Sequence, residues 1–452
     1  MTTVTLVYPY THPSNDNSIF RFPPLGLGYI AAVLKSRGIS VELVDCTFMS
    51  LSSAVEKIRR SRPRIIGIQV MFSMKEKALE MAKLLRGDCE LLVAGGPLPT
   101  SNPTDFLSFF DAVVIGEGEE TMLELAQAVL NGVGLTKVKG IAFNRKGTIL
   151  VNATRDFIEC LDEIPFPDRE MFDNQAYKNY YLRNFGYTTT SIITSRGCPF
   201  QCDFCSRPVF GNGFRSRTAA NITEEVETVS RLGYERVWFA DDCFTINRGR
   251  LLKICDELQR RHVDVGWECL SRVDTVDSEV AGKMKKAGCV RVFFGIESGN
   301  DAVLEIMKKQ VTARQARDTV YTFKKAGIQV GAFFILGYPG ETDRTILDTV
   351  NFASSLRLDY LSFTFPYPIP GTPLFERVKD SMILEEWREP DTLHFIKHKL
   401  LFRSEFSENK LKFAVFKGMT QHYLRKYLGR RIHDIVDKPY AKLTDEIYRI
   451  IR

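Results

Sequence analysis

Short apolar runs that alternate with helix-patterned segments, most of them closed by glycine, constrain this fold most. Over the first 120 or so residues the runs are Val4–Pro9, Ser40–Asp45, Arg64–Val70, Glu90–Gly96 and Asp111–Glu119. Runs of this length suit buried strands. Between them lie segments such as LGYIAAVLKSRG and KEKALEMAKLLRG, whose Gly38 and Gly87 stand where a helix ends. The rhythm predicts a Rossmann-like, doubly wound α/β domain over residues 1–140. Ligands of such sheets sit at the carboxyl ends of the strands, here Pro9-Tyr10, Gly95-Gly96-Pro97 and Gly116-Glu117-Gly118-Glu119.

Residues 141–187 read as an irregular connector around IPFPDREMF (Ile164–Phe172). The alternation restarts over 188–385. Strand candidates are TTSIITS, Glu235–Asp241, Val263–Cys269, Val290–Glu297, Val330–Leu336 and Tyr360–Pro366, with glycines 233, 288 and 327 closing helices. Six β/α units predict a partial (β/α)6 barrel with its functional residues at strand C-terminal ends. Residues 386–452 read as a small helical region, with Ser407 as an N-cap.

With 44% hydrophobic and 26% charged residues, the composition is that of a soluble protein. A formal charge of +6 over 61 basic and 55 acidic residues is too small to argue for nucleic acid. No run has the length of a membrane span and no leader is evident, so the expectation is a cytoplasmic protein that binds neither membrane nor nucleic acid. The ten cysteines form no disulfide pattern. Cys46, Cys89, Cys160, Cys255 and Cys289 read as small buried apolar residues.

Three other cysteines stand apart. Cys198, Cys202 and Cys205 form C-x-x-x-C-x-x-C in RGCPFQCDFC, directly after a strand. Thiolates so spaced can hold zinc or an iron–sulfur cluster. Zinc would want a fourth Cys or His, and none lies near in sequence. A [4Fe–4S] cluster on three cysteines leaves one iron open to a small molecule.

RGCPFQCDFC, with Phe204 before its last cysteine, resembles the cluster motif of radical S-adenosylmethionine (SAM) enzymes. The resemblance implies a [4Fe–4S] cluster on Cys198, Cys202 and Cys205, and SAM chelating the open iron and cleaved to a 5′-deoxyadenosyl radical. It also implies SAM contacts from Phe204, from Asp241 and Asp242 in FADDCF, and from Arg272 in CLSRVDT, which would pair with the SAM carboxylate. Further contacts would come from Glu297 and Ser298 in FGIESGND and from Gly337 in LGYPGET. Asp241-Asp242 departs from the commoner Gly-Gly-Glu and is like the cobalamin-dependent branch. Asp241 could equally cap the following helix.

A Rossmann-like domain before such a barrel fits either a cobalamin-binding domain or the N-terminal cluster domain of methylthiotransferases. The second needs three further loop cysteines, and Cys89 lies before a strand rather than after one. PPLGLGYIAAVLKSRGISVELVDC, VVIGEGEET and DEIPFPDRE are similar to cobalamin-dependent radical SAM enzymes, over roughly residues 1–380. This implies cobalamin (as methylcobalamin) held by Gly26, Gly28, Gly95, Gly96, Pro97, Gly116, Glu117 and Gly118, with Met71 and Ser73 covering its lower face. Methionine-synthase-like domains carry D-x-H-x-x-G, whose His ligates cobalt. Around His12 the Asp and the Gly are replaced by Tyr10 and Asn15, so cobalamin without a histidine ligand is expected.

The expected activity is cobalamin-dependent radical SAM C-methylation of an unactivated carbon, with no side-chain acid/base pair beyond the cofactor-binding groups. The substrate is expected to be a small molecule or a peptidyl side chain, for example of methyl-coenzyme M reductase, a choice resting on family analogy. A ferredoxin or flavodoxin would donate the electron, and the chain would be a monomer. Ring rearrangement, cyclisation or oxygen insertion with the same cofactors is the alternative. A non-catalytic corrinoid sensor or carrier is a third reading, against which the intact cysteine motif argues.

Overall fold

The computed structural model describes residues 2–10, 17–205, 210–383, 399–427 and 430–451, with the side chains of 430–435 left aside. His12 lies outside the described residues. The chain forms two compact units. The first is 1–197 with 207–217 and 224–236, and the second is the remainder.

The first unit is built on a seven-stranded sheet of order β2-β1-β3-β4-β5-β6-β7. Its strands are β1 (Val4–Tyr8), β2 (Val41–Asp45), β3 (Ile65–Gln69), β4 (Leu91–Gly95), β5 (Ala112–Val114), β6 (Ile141–Arg145) and β7 (Thr148–Val151). The first five are parallel; β1, β3, β4 and β5 are almost wholly buried, as their continuous apolar runs require, whereas in β2 only Leu43 and Val44 are buried. Helices Leu25–Ser36 and Glu119–Leu130 cover one face, and Leu51–Ser61 and Lys75–Leu85 the other. The order reverses between β1 and β3, the switch point where such sheets open a ligand crevice.

The sheet runs past residue 140. Antiparallel β6 and β7 extend it into the segment expected to be an irregular connector, and that segment also holds the helix Asn174–Phe185. β7 is mostly exposed and so shows no core-facing alternation. Asn144 Oδ1 accepts from Gly147 N at 2.8 Å across the hairpin turn.

A two-residue ribbon pairs β9 (Ser195–Arg196) with β10 (Arg215–Ser216). The six-stranded sheet has the order β15-β14-β13-β12-β11-β8. It comprises β8 (Thr189–Ile192), β11 (Arg236–Phe239), β12 (Gly266–Ser271), β13 (Cys289–Glu297), β14 (Gln329–Ile335) and β15 (Tyr360–Thr364). β12 to β15 are parallel with helices between them, the partial barrel expected. β12 starts later than Val263 because Val263 N closes the preceding helix on Leu258 O.

Two helices, Glu408–Tyr427 and Arg430–Ile450, form the helical C-terminal region. Ser407 Oγ accepts from Lys410 N at 3.2 Å, the expected cap. The first helix packs closely on the barrel: a Cβ on Gly418 would lie 2.8 Å from the Phe363 ring. Of the cysteines expected inside, Cys46, Cys255 and Cys289 are buried, Cys89 is partly buried, and Cys160 is exposed. Cys160 lies in the segment between β7 and the helix Asn174–Phe185, outside the core.

Candidate functional site: a glycine-walled cavity and a cysteine loop

In the first unit a cavity of about 250 Å³ opens at the sheet's C-terminal edge. Leu6, Leu27, Ile30, Val93, Val114 and Met122 make its walls apolar. The remaining lining is mostly backbone at strand and helix ends: Gly26, Gly67, Gly95, Gly96, Pro97, Gly116 and Gly118. A Cβ on Gly26 or Gly116 would meet nothing within 4 Å, so both glycines leave room a side chain would occupy. One polar atom is stranded there: Gln69 Oε1, on a lining residue at the end of β3, is buried and accepts no hydrogen bond. An unpaired buried acceptor costs roughly 1–3 kcal/mol and marks a place for a donor. The cavity is smaller than the roughly 300–1,000 Å³ of drug-sized sites, so it suits a projecting part of a larger cofactor.

The charged residues of this wall are paired. Glu117 Oε1 accepts from Arg196 Nη1 at 2.7 Å and from Arg215 Nη1 at 2.9 Å, and Glu117 Oε2 accepts from Ile158 N at 2.7 Å. Glu119 Oε1 takes Arg196 Nη2 at 2.5 Å. Burial alone would lower the Arg196 pKa, yet the two carboxylates hold it above the usual guanidinium value.

Three of the residues expected at cobalamin lie off this cavity. Gly28 is where its helix meets Phe172 and Pro167, since a Cβ there would stand 2.7 Å from the Phe172 ring. Met71 and Ser73 lie on the turn after β3 and do not line the cavity. Glu117 lines it, but with its carboxylate already committed to arginines.

In the second unit the cysteine loop is anchored through its own residues. Asp203, fully buried between Cys202 and Cys205, accepts from the Tyr338 hydroxyl and pairs with Arg377 at 2.7 Å. Its backbone bonds to Met307 O and Leu374 N. Arg272 lies over the Phe200 ring, 3.7 Å from its centroid, and 3.6 Å from Cys202 Sγ. Its fork is bidentate to Asp274 at 2.9 and 2.8 Å, and it also reaches Lys309 O at 2.7 Å. The guanidinium expected at a SAM carboxylate is thus engaged in holding the loop.

The thiols suit a cluster in kind. Cys202 is buried, and Cys198 and Cys205 are partly so. Burial pushes the Cys205 thiol up to about 12, with Asp242 and the other two thiols adding to it. Among the described residues no three Cys, His, Asp or Glu converge on one ion. A cluster would be held by Cys198, Cys202 and Cys205 together, each thiolate supplying one ligand.

The other expected SAM residues follow the ends of successive strands. After β11, Asp241 is buried, 3.7 Å from Arg250, while Asp242 is exposed. Asn247, not Asp241, caps the next helix. Glu297 ends β13 at a register shift with φ +72°, a left-handed backbone that a glutamate adopts at a cost of about 1 kcal/mol. Its Oε1 accepts from buried Lys309 Nζ at 3.0 Å. Ser298 Oγ is within 2.8 Å of Thr349 Oγ1 and accepts from Asn300 N. Gly337 follows β14, and Phe204 meets the Tyr338 ring edge-on at 6.3 Å. Sequence reasoning missed Arg196, Glu119, Gln69 and Lys309 as site residues. The first two stood inside quoted motifs, RGC and GEGE. The other two carry no local signal, because tertiary packing alone buries Lys309 and the Oε1 atom of Gln69.

Residues 192–353 match the radical SAM superfamily, and residues 15–126 match the B12 binding domain. The chain is 33% identical to a protein of Pyrococcus horikoshii named as an uncharacterised methyltransferase, over 89% of this chain and 88% of that one. The chain therefore belongs to the radical SAM superfamily, in the branch that carries a B12-binding domain. Its cofactors are a [4Fe–4S] cluster, S-adenosylmethionine and cobalamin. It is also 26% identical to the anaerobic magnesium-protoporphyrin IX monomethyl ester cyclase of Rubrivivax gelatinosus, over 96% of this chain and 84% of that protein. Its fold is shared with the radical SAM methyltransferase TsrM from Kitasatospora setae, at TM-score 0.71, 20% identity and coverage of 84% of this chain and 75% of that one. It is also shared with the cobalamin-dependent radical enzyme OxsB, at TM-score 0.75, 18% identity and coverage of 99% and 72%. Among the described residues no helix is long and apolar enough to cross a membrane.

Proposed function

We propose that this protein is a cobalamin-dependent radical SAM methyltransferase that transfers a methyl group to an unactivated carbon. One observation carries the reading: a glycine-bared cavity with the stranded acceptor Gln69 Oε1 accompanies a complete three-cysteine loop in one chain. The methyltransferase name of the Pyrococcus relative supports it. Together the bound groups supply a hydrogen-abstracting radical and a methyl group that a carbon radical can accept, which an unactivated carbon needs because it is not a nucleophile.

The chain's own residues position and shield. Cys198, Cys202 and Cys205 hold the cluster, while Asp203, Tyr338, Arg377 and Arg272 fix their loop. Asp241, Asp242, Glu297, Gly337 and Phe204 contact SAM. Lys309, a buried cation beside Glu297, is placed to share the SAM carboxylate role expected of Arg272. Gly26, Gly95, Gly96, Pro97, Gly116 and Gly118 admit the nucleotide tail of cobalamin, and Gln69 accepts a hydrogen bond from it. The substrate is a small molecule or peptidyl side chain, a ferredoxin or flavodoxin supplies the electron, and the protein acts as a cytoplasmic monomer.

Cyclisation is the second reading, favoured by the extent of the match to the Rubrivivax cyclase. Product analysis under reductant separates the two. Methylation yields S-adenosylhomocysteine as well as 5′-deoxyadenosine during substrate turnover. Turnover with 5′-deoxyadenosine alone would overturn the methyltransferase reading and leave cyclisation or a related rearrangement.

A further inference from the structure

The loop that carries the three cysteines is closed at its base by the β9–β10 ribbon, where Arg196 sits directly opposite Arg215. The closure is tight. Gly197 has φ +84°, and a Cβ on it would stand 2.1 Å from Gly213 O. Like charges facing each other across an antiparallel pair destabilise it. Here both guanidiniums are also buried, at 6% and 9% side-chain exposure. Glu117 resolves the conflict by accepting from both through one oxygen, and Glu119 takes the second nitrogen of Arg196.

Glu117 lies in the turn after β5 and Glu119 opens the helix that follows it, and both line the cavity, as does Arg196. The wall of the cavity and the base of the cysteine loop are therefore joined by four charged groups, three of which line the cavity. Moving the turn would leave two buried arginines without their counter-charge, a strongly unfavourable arrangement. Arg215 Nη2 is buried and makes no hydrogen bond, so the set is not saturated.

We propose that this four-residue clamp couples occupancy of the cavity to the geometry of the cysteine loop. Filling the cavity fixes the turn and, through it, the loop base two residues before Cys198. Building the cluster fixes the loop base and, through it, the turn. Glu117, Glu119, Arg196 and Arg215 are positioning residues for both cofactors. The inference rests on the cofactor placement proposed above.

Such coupling is reciprocal, so binding alone reads it. The affinity for hydroxocobalamin is measured on the full chain in two states. One is anaerobically reconstituted with iron and sulfide, and the other is the cluster-free Cys198→Ala/Cys202→Ala/Cys205→Ala chain. The cluster-loaded state is expected to bind at least about fivefold more tightly. With Glu119→Gln, or with Arg215→Lys, the two states should bind within about twofold of each other. Melting temperature and iron content near the parent values show that the variants fold and load, so a purely structural role would leave the ratio unchanged. Equal affinity of the two parent states overturns the coupling. A parent-like ratio in both variants overturns the clamp as its route. No binding in either state overturns the cofactor placement itself, and the inference with it.

Discussion

Glu341 is a carboxyl group whose ionisation the fold opposes. It is 2% exposed, its Oε2 accepts from Gly337 N and Tyr338 N at 2.7 and 2.8 Å, and its Oε1 is buried without a hydrogen bond. Burial raises its pKa to about 7, against the two backbone bonds that lower it. An acid with a raised folded pKa binds its proton more tightly in the native state. Stability is therefore full below the unfolded value near 4.5 and falls as pH rises to about 7. The loss is on the order of 3 kcal/mol. Urea unfolding of the parent and Glu341→Gln from pH 4.5 to 8 should show the variant gaining on the parent by that order as pH rises. A constant difference would assign Glu341 a lower native pKa. The same turn shows what a residue-level reading reaches. The turn at Gly337 after its strand was legible from LGYPGET, but the protonation of Glu341 was not, because burial by distant segments creates it.

The elements divide by whether their own pattern reports their surroundings. β1, β3, β4, β5 and most of β11 to β14 are buried, so apolar runs mark them, while β2 and β15 are buried at only part of their length. β7 was missed because an exposed edge strand has no such run, and β6 because its buried apolar stretch is only Ile141–Phe143. The cysteines were legible because short spacing is all they need. The β9–β10 clamp was not, because Arg215 reaches Arg196 only when the chain returns. In the C-terminal helix Glu408–Tyr427, Gly418 faces the barrel, where a Cβ would lie 2.8 Å from Phe363 and 3.1 Å from Val350. Helix propensity would favour almost any other residue by about 1 kcal/mol. Overpacking against a ring decides the sign, and Gly418→Val should lose roughly 1–3 kcal/mol in urea unfolding. A neutral result would mean that the helix is only loosely attached.

For the whole molecule, stability and cofactor loading should be linked. A ligand that binds only the native chain adds about 2.7 kcal/mol at a hundredfold excess over its Kd. Cobalamin should therefore raise the thermal transition of the parent. Gly26→Phe should melt like the parent without cobalamin, because a Cβ there meets no atom within 4 Å. It should show no rise with cobalamin, because the ring fills the cavity. A parent-like rise would place the cofactor elsewhere.

Leu411 of the C-terminal helix stands against Gly337, where a Cβ would lie 2.6 Å from its Cδ1. Lys410 pairs with Asp343 at 2.8 Å just beyond. The turn after β14 is thus finished by the tail of the chain. A tail that backs a strand-end turn of the barrel is not a cassette. Exchanging it between relatives to redirect substrate choice would also exchange the contact that backs the turn proposed to meet SAM, so chimeras cut before residue 408 should inherit defects unrelated to the substrate they were built to accept.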